Sequence, residues 1–300
     1  MTAGAQKVGI LIPCRNEKQN IGPLLSHLVS LQLQHWDVEH IVVVSDSNDG
    51  TDDIVSQWAH TTARKILLTK TAGGARGKSS AISQGLACLQ DVDIVILISA
   101  DVRPREDCLA TLLQAFDSDE VGVAGGRPIP VGPSHSLAHA VNCFLWDTHH
   151  FFALDYPKTT EVTAFRRAFL SQLEAGCSVD ELDIEHQFMK LGYNIAYLPN
   201  AEIETQSVLT LREYVRQRSR VTTGYLRFSS RRGYSTPSLS LMRRLTYSWR
   251  TLREKPSNVL IYPLVLALEG YIMMHALFYA RHPQDSGIWS RIASTKRPFS

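Results

Sequence analysis

Cysteine is scarce in this sequence and follows no pairing pattern. The five cysteines, Cys14, Cys88, Cys108, Cys143 and Cys177, are odd in number and widely spread among 300 residues. None belongs to a Cys-x-x-Cys pair, which argues against a zinc site and against a small disulfide-rich scaffold. This usage predicts a reducing compartment.

We expect no leader from the opening pattern of the sequence, and charged residues are few. No basic segment followed by an apolar run opens it, because Met1 to Lys7 leads straight into a strand pattern. Charged residues make up 20% and hydrophobic residues 44% of the chain, which supports a full core and excludes disorder as the main state. The length fits one large α/β domain with an appendage or two small domains; we favour the first and expect its catalytic part to stay in the cytosol.

The small formal net charge of +2 conceals a strongly basic segment. Residues 212–255 hold twelve Lys and Arg side chains against two acids, a net charge of +10, which leaves −8 for the rest. Such a block typically faces the phosphate of a lipid, a nucleotide or a nucleic acid, and the alternative is a solvated surface. The segment contains no aromatic-interleaved RNA motif, so we expect no nucleic-acid partner.

Short apolar runs alternate with amphipathic stretches through the first 200 residues. The runs 8–12, 41–44 and 94–98 read as buried parallel strands, and 121–126 and 194–198 as two further strands. The spacing predicts helices over 20–33, 79–89 and 178–191. This alternation predicts a doubly wound, mostly parallel α/β sheet with its active groups at the carboxyl ends of the strands.

The last third of the chain changes character. Residues 229–240 are rich in Ser, Arg, Gly and Pro and suggest a linker, and Val259 to Ala280 is a 22-residue run in which only Glu269 is charged. A run of about 20 apolar residues is long enough to cross a bilayer. Glu269 and His275 weaken that interpretation, so three alternatives stand: a spanning helix, an interfacial helix, or a buried helix of a homo-oligomer.

Four short motifs follow the predicted elements in order. They are Pro13-Cys14-Arg15-Asn16-Glu17, Ser47-Asn48-Asp49-Gly50-Thr51, Gly77-Lys78-Ser79-Ser80-Ala81 and Ser99-Ala100-Asp101. Together they resemble the family 2 glycosyltransferases, whose marks are Pro-x-x-Asn-Glu, an acidic loop with Ser-x-Asp-x-Thr, Gly-Lys-x-x-Ala and Asp-x-Asp. The resemblance implies a GT-A catalytic domain over residues 1–228 and a membrane-associated extension, a basic linker with an apolar helix, over 229–300.

That resemblance also implies the reaction and the donor site. The expected activity is inverting transfer of a sugar from a nucleotide-diphosphate donor to a hydroxyl acceptor that is lipid-linked or membrane-bound. The donor-binding residues it implies are Pro13, Arg15, Asn16, Glu17, Asp46, Asp49, Gly77, Lys78, Ser99, Ala100 and Asp101. Asp46 is the better candidate for the base or ribose, whereas Asp49 can hold its loop through bonds to backbone amides.

A divalent cation would neutralise the leaving diphosphate, and Asp101 is the first-choice ligand. Mg²⁺ or Mn²⁺ takes oxygen ligands and keeps several waters, so one carboxylate plus the donor diphosphate can hold it. Ser99 replaces the first acid of the family's pair. The alternative is that Asp101 caps the element beginning near Arg103.

A second acidic motif supplies the expected general base. Asp180-Glu181 resembles the family's Glu-Asp pair, and by register Glu181 occupies the position of the base, with Asp180 as the fallback. A base is needed because a hydroxyl is a poor nucleophile until its proton is taken. The alternative is a helix N-terminus that is acidic for dipole reasons alone.

The acceptor or phosphate side is assigned to a further group of residues. They are His150, Glu161, Arg166, Gln217, Arg218 and Arg220. Adjacent histidines on one element point apart, so we expect no metal site built on His149 and His150 together. Val221 stands where a Gln-x-x-Arg-Trp motif has Trp, and we expect no processive synthesis.

Two other classes of protein remain as alternatives. A P-loop NTPase is suggested by Gly77-Lys78-Ser79, but Gly73 and Gly77 have three residues between them where the phosphate loop needs four. The second alternative is a membrane-bound scaffold or phosphate-binding module without catalysis, which would use only the basic segment.

Overall fold

The apolar runs of the sequence form the centre of a mixed eight-stranded sheet. The computed structural model describes residues 6–33, 35–71, 77–234, 236–281 and 293–299. The strands are β1 (Gln6–Cys14), β2 (Trp36–Ser45), β3 (Ile66–Lys70), β4 (Ile94–Ile98), β5 (Val102–Pro104), β6 (Val121–Val131), β7 (Val162–Arg166) and β8 (Asn194–Gln206). Their order across the sheet is β3-β2-β1-β4-β7-β6-β8-β5.

The first four strands in that order are parallel, as the continuous apolar runs predict. Strand β1 pairs in parallel with β2 and β4, and β2 pairs in parallel with β3. All five residues of β4 are buried, which is the pattern of a strand covered on both faces. The other half differs, because β7 runs antiparallel to β4 and β6, and β5 runs antiparallel to β8.

Nine helices in the described residues cover the sheet and extend beyond it. They are α1 (Ile21–Ser30), α2 (Thr51–Thr61), α3 (Lys78–Ala87), α4 (Cys108–Gln114), α5 (Leu137–Asp155), α6 (Asp180–Lys190), α7 (Leu211–Arg232), α8 (Leu241–Glu254) and α9 (Tyr262–Ala280). Alternate residues of β1 enter different cores: Ile10 and Ile12 pack on one face, and Leu11 packs on the other. The predicted α/β class and doubly wound core are therefore confirmed.

Helices α5, α7, α8 and α9 form a separate apolar cluster beside the sheet. Its buried members include Phe144, Tyr214, Leu252, Val265 and Ile272. The predicted linker starts later than expected, because α7 runs on to Arg232 and ends at a glycine with positive φ. The division at residue 228 thus falls inside a helix, and the division into two domains stays a prediction.

Helix α9 contains most of the apolar run, preceded by a short 3-10 turn at Pro256–Leu260. Among the described residues it is the one helix long and apolar enough to cross a membrane by length and composition. One side of α9 packs through Val265 and Ile272, whereas Met274 is 67% exposed and Phe278 is 60% exposed. One face of α9 therefore packs on the protein, and the other face exposes apolar side chains.

Candidate active site

Residues of three of the four motifs line one cavity of about 840 Å³ at the carboxyl ends of the parallel strands. Arg15 and Asn16 follow β1, Ser99 and Asp101 follow β4, and Lys78 begins α3. Parallel strands end at a shared edge, which is why segments far apart in the sequence converge there.

Side chains of the loops after β1 and β2 accept hydrogen bonds from backbone N–H groups of the same two loops. Asn16 has a positive φ of 57°, which Asn tolerates better than most residues, and its Oδ1 accepts a hydrogen bond from the Asn48 N–H at 2.9 Å. The Asn16 N–H donates to Ser47 Oγ, also at 2.9 Å. Asp49 accepts from the Thr51 N–H at 3.1 Å, the loop-holding role considered for it from the sequence. These bonds give the donor end a fixed frame.

Lys78 links the glycine-lysine motif to the second acidic motif. Its Nζ lies 2.7 Å from Asp180 Oδ2 and 3.9 Å from Glu181 Oε1. Burial alone would lower the pKa of Lys78, but the Asp180 and Glu181 carboxylates outweigh burial and raise it. Lys78 is therefore a fixed cation at the centre of the cavity.

The two adjacent acids differ in their surroundings. Asp180 is buried against Lys78, whereas the Glu181 side chain is 24% exposed. Burial, with the neighbouring Asp180 charge, raises the pKa of Glu181 to about 8. A carboxylate with a pKa near neutrality is suited to accept a proton and release it again. Glu181 is the member of the pair with that property.

Three further charged groups surround this pair. Burial raises the pKa of Asp101, against the opposing effect of Lys78 and Arg220. Burial likewise raises the pKa of Glu161, whose Oε2 is a buried oxygen with no hydrogen-bond partner among the described residues. Arg220 lies within electrostatic range of Asp101 and Glu181. Buried carboxylates and cations of this density typically mark a functional site.

The cavity continues from this polar end into an apolar arm between α5, α8 and α9. Its lining there includes Phe144, Leu145, Phe152, Leu245, Val265, Leu266, Gly270 and Met273. A cluster of polar groups lies along the arm, where Glu269 accepts hydrogen bonds from Tyr214 at 2.8 Å and from Arg218 at 3.4 Å. Arg244 of α8 lies 3.4 Å from the same carboxylate. Glu269 of α9 is therefore bound to the protein through α7 and α8.

Most of the predicted site residues line this cavity. They are Arg15, Asn16, Lys78, Ser99, Asp101, Glu161, Asp180, Glu181, Gln217, Arg218 and Arg220. Others stand behind or beside it: Pro13, Glu17, Asp46, Asp49, Gly77 and Ala100. Asp46 is half exposed and lies 3.7 Å from Arg15 Nε. Residues 72–76, which contain Gly73 of the considered phosphate loop, lie outside the described residues.

Two acceptor-side predictions differ from the structure. Arg166 lies away from the cavity, where its Nε donates to the Val121 carbonyl at 2.8 Å and its guanidinium packs on the Phe116 ring. Its guanidinium also donates to the Phe116 and Ser118 carbonyls, so Arg166 binds the backbone of the segment that leads into β6. His150 does not line the cavity either, and its Nδ1 lies 3.0 Å from the Tyr197 hydroxyl. The neighbouring His149 lines the cavity instead.

Sequence reasoning missed Lys158, a buried lysine of the same cavity. Its Nζ lies 3.0 Å from the Tyr225 hydroxyl and 4.8 Å from the centre of that ring. Burial opposes its charge, but Tyr225 and Glu185 raise the pKa of Lys158 above its ordinary value. No motif marks Lys158, and only its position after α5 brings it to the site.

The mixed sheet with its flanking helices is that of the GT-A fold. The chain belongs to Glycosyl transferase family 2, whose sequence profile matches residues 9–171, more than half of the 300 residues. The profile of Glycosyl transferase family group 2 matches residues 94–281. The family predicted from the four motifs is thus confirmed.

Curated relatives agree with this assignment. The chain is 28% identical over 233 residues to the probable glycosyltransferase YdaM of Bacillus subtilis (strain 168), covering 73% of this chain and 55% of that protein. It is 28% identical over 120 residues to the beta-monoglucosyldiacylglycerol synthase of Trichormus variabilis, covering 40% of this chain and 25% of that protein. The chain therefore spans about half, or less, of the length of these relatives.

Solved structures share the fold at lower identity. The mannosyltransferase PcManGT from Pyrobaculum calidifontis, solved with GDP-Man and Mn²⁺, gives a TM-score of 0.62 at 19% identity and covers 91% of this chain and 86% of that chain. The glucosyl-3-phosphoglycerate synthase of Mycobacterium tuberculosis, solved with Mn²⁺, UDP-Glc and phosphoglyceric acid, gives 0.54 at 17% identity, covering 79% and 83%. Both place the chain in the GT-A fold.

Proposed function

We propose that the chain transfers a sugar from a nucleotide-diphosphate donor to the hydroxyl of a membrane lipid or lipid-linked acceptor, with inversion at the sugar carbon. The observation that carries this proposal is the shape of the cavity. One continuous space joins Lys78, Asp101 and Glu181 at the polar end to an apolar arm between α5, α8 and α9. A hydroxyl on an amphiphile could reach Glu181 from that arm.

The donor end has the chemistry for a diphosphate with a divalent cation. No group of three or more His, Cys, Asp or Glu side chains in the described residues is arranged to hold a metal ion. Asp101 and the unpartnered Glu161 Oε2 nevertheless offer the hard oxygen ligands that Mg²⁺ and Mn²⁺ prefer, and these ions usually take their remaining ligands from water and substrate phosphates. Asp101 would hold the ion, which when bound neutralises charge on the leaving diphosphate.

Proton transfer is assigned to Glu181. Its carboxylate would take the acceptor hydroxyl proton as the new bond to the sugar forms, and a single displacement of this kind inverts the sugar carbon. Lys78 and Asp180 support this role, because their 2.7 Å ion pair leaves Glu181 as the acid that can take up a proton near pH 8. Arg220 and Lys158 line the same cavity and would add positive charge near the leaving diphosphate and the acceptor hydroxyl.

Two observations support a lipid acceptor: the apolar arm of the cavity, and a relative whose name identifies a diacylglycerol lipid as its product. The arm is lined by Phe144, Leu145 and Val265, which suit an acyl or prenyl chain better than a sugar or a phosphate. The relative from Trichormus variabilis is named a beta-monoglucosyldiacylglycerol synthase. We place this enzyme's catalytic domain on the cytosolic face of the membrane that contains its acceptor.

The outer faces of α8 and α9 are assigned to the membrane surface. Met242 and Trp249 of α8 are 72% and 63% exposed, and Arg253 of the same helix is exposed as well. Apolar side chains flanked by cations favour anionic headgroups, and Trp favours the interface. Glu269 of α9 accepts a hydrogen bond from Arg218 of the protein body. This contact favours a helix that lies in the membrane interface over one that spans the bilayer, where a buried acid is costly.

Flotation with anionic vesicles tests this placement. We expect the double variant Met274→Glu/Phe278→Glu to lose most vesicle binding, because it puts two charges on the exposed face of α9. Met189→Glu, at a position near the end of α6 that is 44% exposed, should bind as the unaltered protein does. If the double variant floats unchanged, α9 does not face lipid, and a homo-oligomer helix becomes the better interpretation.

The activity itself is tested by offering a panel of UDP- and GDP-sugars with Mn²⁺ or Mg²⁺ and a membrane lipid extract in nanodiscs. We expect one donor to give a glycolipid whose anomeric configuration, read by NMR, is opposite to that of the donor. A product of retained configuration would contradict the single displacement. If no donor gives a glycolipid, and if Asp101 and Glu181 can be replaced without loss of the protein's function in the cell, a non-catalytic scaffold becomes the better interpretation.

A further inference from the structure

Residues 293–299, called the strap here, cross the donor end of the sheet and are bound to it at three points. The Gln206 side chain donates to the Pro298 carbonyl at 3.2 Å, and Arg297 donates to the Ser207 carbonyl at 3.1 Å. The Arg103 guanidinium lies 5.0 Å from the centre of the Phe299 ring. The strap is therefore attached to β5 and to the end of β8.

Between these contacts the strap places Lys296 in the wall of the cavity. Thr295 and Lys296 both line it, together with Arg15 and Asn16 of the first motif. The Lys296 ammonium forms an ion pair with Glu17 and donates to the Arg15 carbonyl at 3.3 Å. The Lys296 side chain is only 18% exposed, so its ammonium lies against the protein at the donor end of the cavity.

Glu17 is held rigidly on the other side of this ion pair. It is 4% exposed, its Oε2 accepts from Asn20 Nδ2 at 3.1 Å, and its N–H donates to Thr51 Oγ1 at 3.0 Å. An ammonium has three N–H donors, and the described residues supply two acceptors, Glu17 and the Arg15 carbonyl. Burying a lysine is costly, and one partner carboxylate offsets that cost only in part. A third acceptor would complete the site.

A diphosphate is the ligand whose chemistry fits that position. The donor end brings Arg15, Lys78 and Lys296 to one space, but Lys78 is already paired with Asp180 at 2.7 Å. Burial lowers the pKa of Lys296 to about 8, which a bound phosphate would raise again. Lysine commonly binds phosphate as a point charge.

We propose that the strap closes the donor end of the cavity and that Lys296 binds the diphosphate of the nucleotide sugar. This inference rests on the proposed function, because it assigns a further residue to the same donor site. Lys296 is a substrate-binding residue supplied from far along the chain, next to the first motif of the fold. Phe299, through Arg103, keeps the strap in place.

Calorimetric titration of UDP and GDP with Mn²⁺ tests the charge. We expect Lys296→Gln to weaken the tighter of the two nucleotides about tenfold, a loss of about 1.4 kcal/mol, with Lys296→Arg retaining most of the affinity. Lys190→Gln, on the exposed end of α6, is the matched control and should bind as the unaltered protein does. Equal affinity in Lys296→Gln would overturn the inference and leave the proposed function standing.

Competitive labelling with acetic anhydride, read by mass spectrometry, provides a second measurement on the unaltered protein. We expect UDP or GDP with Mn²⁺ to protect Lys296 several-fold while labelling of Lys190 stays constant. Increased labelling of Lys296 would mean that the nucleotide expels the strap, which overturns a binding role. If neither nucleotide binds the unaltered protein in calorimetry, the proposed donor class fails, and the inference fails with it.

Discussion

The two ends of the cavity are built in different ways. The donor end is formed by the loops after β1 and β4, and the β1 loop is bound to the loop after β2, as in the 2.9 Å hydrogen bond from the Asn48 N–H to Asn16 Oδ1. The acceptor arm is formed by packed helices, with one charged cluster around Glu269. Strand ends fix polar groups accurately, whereas helix faces provide apolar surface, so one molecule can hold a nucleotide and a lipid tail at once.

Removing the carboxylate at the donor end should have the largest effect. We expect Asp101→Ala to abolish transfer and to remove Mn²⁺-dependent binding of UDP or GDP, because this carboxylate is the first-choice metal ligand. Thermal unfolding without nucleotide should stay close to that of the unaltered protein. If the variant still binds nucleotide in a Mn²⁺-dependent way, the assignment of Asp101 is wrong.

The second-largest effect is expected from replacing Glu181, which lies where the two ends of the cavity meet. Glu181→Gln is expected to lower kcat by about 100- to 10,000-fold with little change in donor affinity, as is typical when a general base is lost. Asp180→Asn serves as the comparison, because it breaks the ion pair with Lys78 and should also weaken donor binding. A crippled Asp180→Asn beside a nearly unaffected Glu181→Gln would mean that the order of the two acids has been misread.

The pH dependence of the reaction should show a smaller effect of the same group. Burial raises the pKa of Glu181 to about 8, so at lower pH the carboxyl is protonated and cannot act as a base. The rate should therefore rise through about pH 8 and level off above it. A rate that is flat between pH 6 and 9, measured at saturating donor, would contradict this role.

The sequence predicts the donor end much better than the acceptor arm. Lys78 and Asp101 belong to short motifs at strand and helix ends, where local spacing determines position, and both line the cavity. Lys158 and His149 reach it only through the packing of α5 against the sheet, which no motif records. Arg166 carries the right charge for phosphate, yet its backbone-carbonyl contacts at Val121 depend on tertiary structure that the sequence does not display.

The apolar run illustrates the same limit. Its composition predicts a helix of membrane-spanning length, and α9 forms there. The single acid, Glu269, is satisfied by Tyr214 and Arg218, which lie more than 50 residues earlier in the chain. The sequence shows that an apolar run contains one charged residue, but only the fold shows which side chains offset the cost of burying that charge.

The claim that one cavity joins the two ends is tested most directly at Gly270. This glycine lines the apolar arm at an exposed position, and a Cβ added there meets no heavy atom within 4 Å, so Gly270→Trp should place an indole at the arm without a clash at its Cβ. The account predicts that the KM for a long-chain lipid acceptor rises about tenfold or more while UDP or GDP affinity stays unchanged. An unaltered acceptor KM in a folded Gly270→Trp protein would contradict the account.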